Sequence, residues 1–146
     1  MRTFNRRATL DWHGDVLHGA GTVAAGSDAF TLSATFPRLN GEPLGMTTPE
    51  ELLAASHAVC FGIGLRSVIG QRGGAAERVR VTATLTVEKG AREIRITGSH
   101  LEGRVEGLTG IDANTLSEIG RVAEEGCTIS AAIRQSVAIT VDVRTA

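Results

Sequence analysis

Aromatic side chains are scarce in this chain: four Phe, one Trp and no Tyr among 146 residues. Proteins that hold single-stranded nucleic acid stack its bases on such rings, so a platform of that kind is not available. Positive charge is equally short. Fifteen Lys and Arg face sixteen Asp and Glu for a formal charge of −1, which leaves no net positive field for nucleic acid or an anionic membrane. Only Lys89 among the cations is Lys, a bias that reads as GC-rich coding sequence. Proline occurs three times and no tract is of low complexity, which excludes a collagen, a linker-rich array and a disordered chain. No run approaches the roughly twenty apolar residues of a membrane helix. Residues 1–12 carry Arg2, Arg6 and Arg7 without the apolar stretch of a secretory signal. The expected location is the cytoplasm, with neither membrane nor nucleic acid as partner.

What is present fits one domain over residues 1–146, long enough to bury a core. Eighteen glycines predict many turns and close backbone approaches, at a cost in chain entropy. The two cysteines, Cys60 and Cys127, are the residues to explain. In a reducing compartment a standing structural disulfide is uncommon, and thiols there are buried, metal-binding or redox-active.

The first third reads as short strands over 8–12, 16–25 and 29–36, broken by turn pairs such as His13-Gly14 and Gly26-Ser27. A polar stretch over 37–48 then ends in a helix start. Thr48 is a good N-cap, Pro49 suits the first helical position, and Glu51 stands three residues after Thr48 to close a capping box. From there to about Gly70 the chain is apolar almost all round, the pattern of a helix buried on most of its faces, with Cys60 at its middle. Residues 78–88 alternate with period two, Lys89-Gly90 supplies a turn, and 92–105 form the partner strand of a hairpin. A second helix is predicted over about 112–125, capped by Asp112 and stopped by Gly126, with Leu116, Ile119, Val122 and Ala123 on one face. Ser130 is placed to cap one more turn through Arg134, and 136–143 read as the last strand. The order β-β-β-α-β-β-α-β implies an α+β fold with antiparallel β-sheets and two main helices.

The run Thr48-Pro49-Glu50-Glu51-Leu52-Leu53-Ala54-Ala55-Ser56-His57-Ala58-Val59-Cys60-Phe61, followed later by Glu125-Gly126-Cys127-Thr128-Ile129-Ser130, resembles the OsmC/Ohr family of thiol-dependent peroxidases. His57, three residues before Cys60, is closer to the OsmC branch than to the Ohr branch. The resemblance implies an OsmC-like fold in an intertwined homodimer, with two sites at the interface. It implies that Cys60 attacks the O–O bond of a hydroperoxide, becoming a sulfenic acid and releasing an alcohol, and that Cys127 resolves it as an intramolecular disulfide. It implies further that Arg38 is the catalytic Arg and Glu50 its partner carboxylate. Electrons would come from an external dithiol, such as a dihydrolipoyl group on a lipoylated protein, with no prosthetic cofactor and no metal. Two departures stand out: the loop over 39–46 is slightly longer than the usual connection, and Thr48 replaces the Asn often seen before the Pro.

The residues add a physical reading. Only a thiolate attacks, and burial raises a thiol pKa, so Cys60 is expected to need a cation beside it. Arg38 would favour the thiolate and polarise the leaving oxygen, while Glu50 would orient the guanidinium through paired hydrogen bonds. Glu51, at the capping-box position, reads as structural. Ten residues separate Glu50 from Cys60, roughly 15 Å along a continuous helix, too far for one Arg to bridge easily. Either the helix is interrupted or Glu50 comes from the partner chain, and the second option makes dimerisation a requirement for activity. The nearly all-round apolar helix in so small a chain also points to an interface.

His57 lies one turn before Cys60, where a thiolate–imidazolium pair or a two-ligand metal site is conceivable. His13, His18 and His100 lie in other segments without ligand spacing, so His57 is instead assigned to packing near the site or at the dimer seam. No Gly-Lys-Ser/Thr loop or strand-to-helix GxGxxG exists, so no nucleotide cofactor is implied. Phe61, Leu53, Ile63 and the loop bearing Met46 offer apolar surface, which favours an organic hydroperoxide over hydrogen peroxide. The alternative function is a redox-responsive binding or sensor domain using the same cysteine pair without sustained turnover.

Overall fold

Three short strands open the chain as an antiparallel meander: β1 (Ala8–His13), β2 (Ala20–Ala25) and β3 (Thr31–Ala34). The computed structural model describes residues 1–36 and 45–146, which fall into two compact units, Met1–Leu52 and Leu53–Ala146. The second strand begins later than its sequence pattern suggests because Asp15 builds a turn. Its Oδ1 accepts from the N–H groups of Leu17 at 2.9 Å and His18 at 2.8 Å, and its carbonyl accepts from Gly19 N–H at 2.8 Å. A side chain that satisfies its own following backbone competes with strand pairing. In this unit Leu10, Trp12, Val23, Ala34, Phe36 and Leu52 line an apolar cavity of about 320 Å³.

The long helix α1 (Pro49–Gln71) starts as expected and runs 23 residues without a break. Thr48 Oγ1 accepts from Glu51 N–H at 3.3 Å, but the reciprocal half of the capping box is absent: Glu51 Oε1 accepts from the Thr47 hydroxyl at 2.9 Å. By length and composition α1 is apolar enough to cross a bilayer, with a mean hydropathy of 1.6. That corrects the expectation that no run approaches such a helix. Its His57, Phe61, Leu65, Val68 and Ile69 form a buried stripe at helical spacing, and four of these five belong to the core of the second unit.

That core is built on a three-stranded sheet, β4 (Arg78–Lys89), β5 (Ile94–Glu106) and β6 (Ala138–Thr145), in the order β4-β5-β6. The hairpin β4–β5 is antiparallel, with a register shift between Thr86 and Val87. The last strand departs from the antiparallel expectation: β6 runs parallel to β5, pairing Leu101 with Val141 and Gly103 with Val143. A parallel neighbour requires a crossover, supplied here by α2 (Leu116–Glu125) and α3 (Thr128–Ile133). The Asp112 side chain accepts from Asn114 N–H at 2.8 Å to cap a 3-10 turn (Ala113–Thr115) that leads into α2. Helix α2 stops at Gly126, and Cys127, rather than Ser130, is the N-cap of α3. Phe61, Leu65 and Ile69 from α1 pack with Leu101 and Val105 from β5, Leu116, Ile119 and Ala123 from α2, and Val143 from β6.

The helix α2 approaches β6 so closely that only glycine fits at position 120. A Cβ there would lie 2.7 Å from Val143 Cγ2 and 3.2 Å from Val141 Cγ1. Valine is stiff about χ1 and cannot swing aside. Gly120→Ala is therefore expected to destabilise the fold by about 1–2 kcal/mol despite the better helix propensity of Ala. In a Val143→Ala background most of that cost should vanish; urea unfolding midpoints of the four proteins check both statements.

Candidate active site

A helix leaves its first N–H groups without intrahelical partners, and in α3 these groups turn to sulfur. Cys127 caps the helix with its side chain: Sγ accepts from Ser130 N–H at 3.4 Å, and the Cys127 carbonyl takes the first regular helical bond from Ala131 N–H at 2.9 Å. The N–H groups of Thr128 and Ile129 donate instead to the sulfur of Cys60, joined by the Thr128 hydroxyl and by the Cys127 thiol. The first turn of a six-residue helix thus serves two cysteines from separate elements. Cys60 is part-exposed and Cys127 is 3% exposed; both are free thiols.

The two sulfurs are displaced in opposite directions. Burial pushes the Cys60 thiol up, but the hydrogen bonds from Ile129, Cys127 and Thr128 outweigh it, and the net shift is downward. Burial likewise raises Cys127, and although Ser130 opposes this through its N–H and hydroxyl, the Cys60 sulfur adds to the rise. Cys60 therefore ionises first and Cys127 stays a thiol that donates to it. Sequence reasoning asked for a cation beside Cys60. Among the described residues no cation contributes to its shift, which comes from the backbone of Ile129 and Thr128 and the side chains of Cys127 and Thr128.

His57 turns both ring nitrogens to serine hydroxyls rather than to Cys60. It is completely buried, with Nδ1 2.8 Å from Ser99 Oγ on β5 and Nε2 2.8 Å from Ser130 Oγ on α3. Burial lowers its pKa against a smaller opposing pull from Glu124, so the ring is neutral. No cluster of three or more His, Cys, Asp or Glu able to hold a metal occurs among the described residues.

The remaining expectations fare differently. Arg38 lies outside the described residues. Ten residues of unbroken helix, about 15 Å of rise, separate Glu50 from Cys60, which disposes of the interrupted-helix option. The Oε2 atom of Glu50 is buried without a hydrogen-bond partner among the described residues. Phe61 is not apolar surface for a substrate: it is completely buried in the core. Ile63, in contrast, is 68% exposed and lines a groove of about 660 Å³ with Val59, Arg66, Val79 and Val81. Thr128, Ile129, Ser130 and Ser99 were not singled out as site residues from sequence. The signal was a helix stop followed at once by Cys-Thr-Ile-Ser, which marks a fresh helix start with Cys at its cap.

A family profile described as OsmC-like protein matches residues 41–142 of the chain. Peroxiredoxin OsmC of Escherichia coli is 30% identical over 94% of this chain and 95% of its own length. Among solved structures, an organic hydroperoxide resistance protein OsmC from Legionella pneumophila, also described as a predicted redox protein and regulator of sulfide bond formation, superposes with a TM-score of 0.77. It is 26% identical, covering 99% of each chain. An organic hydroperoxide resistance protein from Elizabethkingia anophelis shares the fold with a TM-score of 0.78 at 20% identity, covering 99% of each chain.

Two outcomes follow from the electrostatics. In a Cys127→Ser protein, alkylation of Cys60 should reach half its limiting rate at a pH below that of a free thiol, and Thr128→Val should move that midpoint upward. Neutral His57 makes the fold acid-sensitive, because its proton is bound in the unfolded chain and refused in the folded one. That stability is complete above about pH 6.5 and lost as pH falls, with a slope of at most about 1.4 kcal/mol per pH unit. His57→Gln should flatten the slope in denaturant titrations run across this range.

Proposed function

Because the chain belongs to the OsmC-like protein family, we propose that it is a thiol-dependent peroxidase reducing organic hydroperoxides. The observation that carries this reading is the hydrogen-bonded pair of free thiols, one lowered and one raised, at the start of one helix. The thiolate of Cys60 attacks the terminal oxygen of the hydroperoxide, the O–O bond breaks, and the alkoxide leaves as an alcohol once protonated. The sulfur is then a sulfenic acid. Cys127 attacks that sulfur and expels hydroxide, which leaves as water, and an intramolecular disulfide remains. An external dithiol, such as a dihydrolipoyl group carried by a protein, reduces it through a mixed disulfide. No prosthetic group enters. The chemistry suits a reducing cytoplasm.

In this reading the two units work as one OsmC-like domain, and Arg38 polarises the leaving oxygen while Glu50 orients its guanidinium. The unbroken helix between Glu50 and Cys60 and the unpartnered Glu50 oxygen favour a site assembled across an intertwined homodimer, in which Glu50 serves Cys60 of the partner subunit. Exposed Val59 and Ile63 on α1 supply apolar surface for such an interface.

Intact mass after one equivalent of an alkyl hydroperoxide tests the chemistry. The reduced parent should lose two hydrogens, Cys127→Ser should gain one oxygen, and Cys60→Ser should not change. An unchanged parent overturns the peroxidase reading, and a single equivalent consumed without further turnover on added dithiol moves it to the sensor alternative. Mixing Cys60→Ser and Glu50→Gln proteins should restore activity if the site is shared between chains; failure to complement assigns Glu50 to its own chain.

A further inference from the structure

The peroxidase reading leaves His57 without a task, although three elements meet at its ring. The side chain is completely buried, as is Ser130, and Ser99 is 1% exposed, so no bulk water competes for its two 2.8 Å contacts. Ser130 in turn reaches Cys127 through its N–H at 3.4 Å, and its side chain favours the Cys127 thiolate. A line of polar groups therefore runs from Ser99 Oγ through His57 Nδ1 and Nε2 to Ser130 Oγ, and from the Ser130 N–H to Cys127 Sγ. We infer that His57 is a positioning residue for disulfide closure, acting through Ser130 to hold a hydroxyl donor on the sulfur of Cys127.

The reasoning is one of donor and acceptor counting. A neutral imidazole has one N–H and one bare nitrogen, whereas each hydroxyl can donate once and also accept. Two polarities satisfy every atom. In the first, the Ser99 hydroxyl donates to Nδ1, Nε2–H donates to Ser130 Oγ, and the Ser130 hydroxyl is left to donate to Cys127. In the second, the Ser130 hydroxyl donates to Nε2 and Nδ1–H donates to Ser99, so the hydroxyl is taken up by the ring, while Cys127 S–H donates to Cys60. Only the first polarity leaves the Ser130 hydroxyl free to stabilise a Cys127 thiolate. The two differ in the tautomer of a neutral ring, so neither places charge in the buried site.

This inference deepens the peroxidase reading and rests on it. While Cys60 is a thiolate, its charge opposes ionisation of Cys127, whose S–H donates to it. Once Cys60 has become a neutral sulfenic acid that opposition is gone, and the first polarity supports the attack. In that step the Cys127 sulfur forms the S–S bond, the Cys60 S–O bond breaks, and the hydroxide departs as water with the proton that Cys127 gave up. No outside oxidant or reductant is needed. The other titratable groups facing this line are Cys60 from α1 and Glu124 from α2, the latter paired with Arg134 at 2.9 Å.

A protein with Cys60→Ser retains Cys127 as its one thiol, so its ultraviolet thiolate absorbance against pH reads Cys127 without any peroxide. In that background Ser130→Ala and His57→Gln should each raise the Cys127 midpoint by about one pH unit, and Ser130→Thr should restore it. With both cysteines present, rapid mixing with an alkyl hydroperoxide should show the same two variants closing the disulfide about tenfold more slowly, the thiolate fraction lost per pH unit. Sulfenic acid formation should change far less than closure. Unmoved midpoints in Ser130→Ala overturn the inference even if His57→Gln fails to fold. So does a proportional slowing of both steps together with a lower melting temperature, which is the mark of a merely structural role. If no sulfenic acid forms in the parent, the peroxidase reading fails, while the Cys127 titration still decides the part played by His57.

Discussion

The first turn of α3 is the constraint on which the site depends. Its N–H groups have no partners within the helix, and the fold aims those of Thr128 and Ile129 at Cys60 and that of Ser130 at Cys127. Burial alone would raise both thiols. The unequal sharing of donors separates them, so that Cys60 ionises before Cys127. Among the described residues that ordering comes from hydrogen-bond donors and burial, with no cation contributing.

Everything around that turn serves to hold it against α1. Gly126 ends α2 so that Cys127 can cap the next helix, and the parallel pairing of β6 with β5 requires the crossover in which α2 and α3 lie. Gly120 brings α2 down onto Val143. The stripe Phe61, Leu65 and Ile69 seats α1 in the same core, and His57 joins α1, β5 and α3 through two serines. Cys60 and Cys127 are thereby fixed to packed elements rather than to a loop.

Much of the fold was legible in order and kind. The β4–β5 hairpin, the Thr48 start of α1 and the Gly126 stop of α2 carry local signals, alternation or capping, that tertiary contacts reinforce. The misreadings have local causes as well. Asp15 captured the N–H groups of Leu17 and His18 and shortened β2. Cys127, a residue seldom expected at a cap, took that position from Ser130. The direction of β6 carried no local signal, since alternation is the same in parallel and antiparallel strands. Phe61 beside Cys60 in sequence seemed available to substrate, yet neighbouring residues on a helix point about 100° apart, and that turn places Phe61 in the core.

By itself the sequence determined the α+β class and the family, the latter through the helix-start motif and the later Gly-Cys pair. These are matters of residue type and local spacing. Only the tertiary structure decided that backbone donors lower Cys60, that Cys127 is held above it, and that His57 belongs to a buried line ending at Ser130. Those properties depend on what surrounds a group in space. Residues 57, 60, 99, 127 and 130 come together only when a helix, a strand and a crossover close around one core.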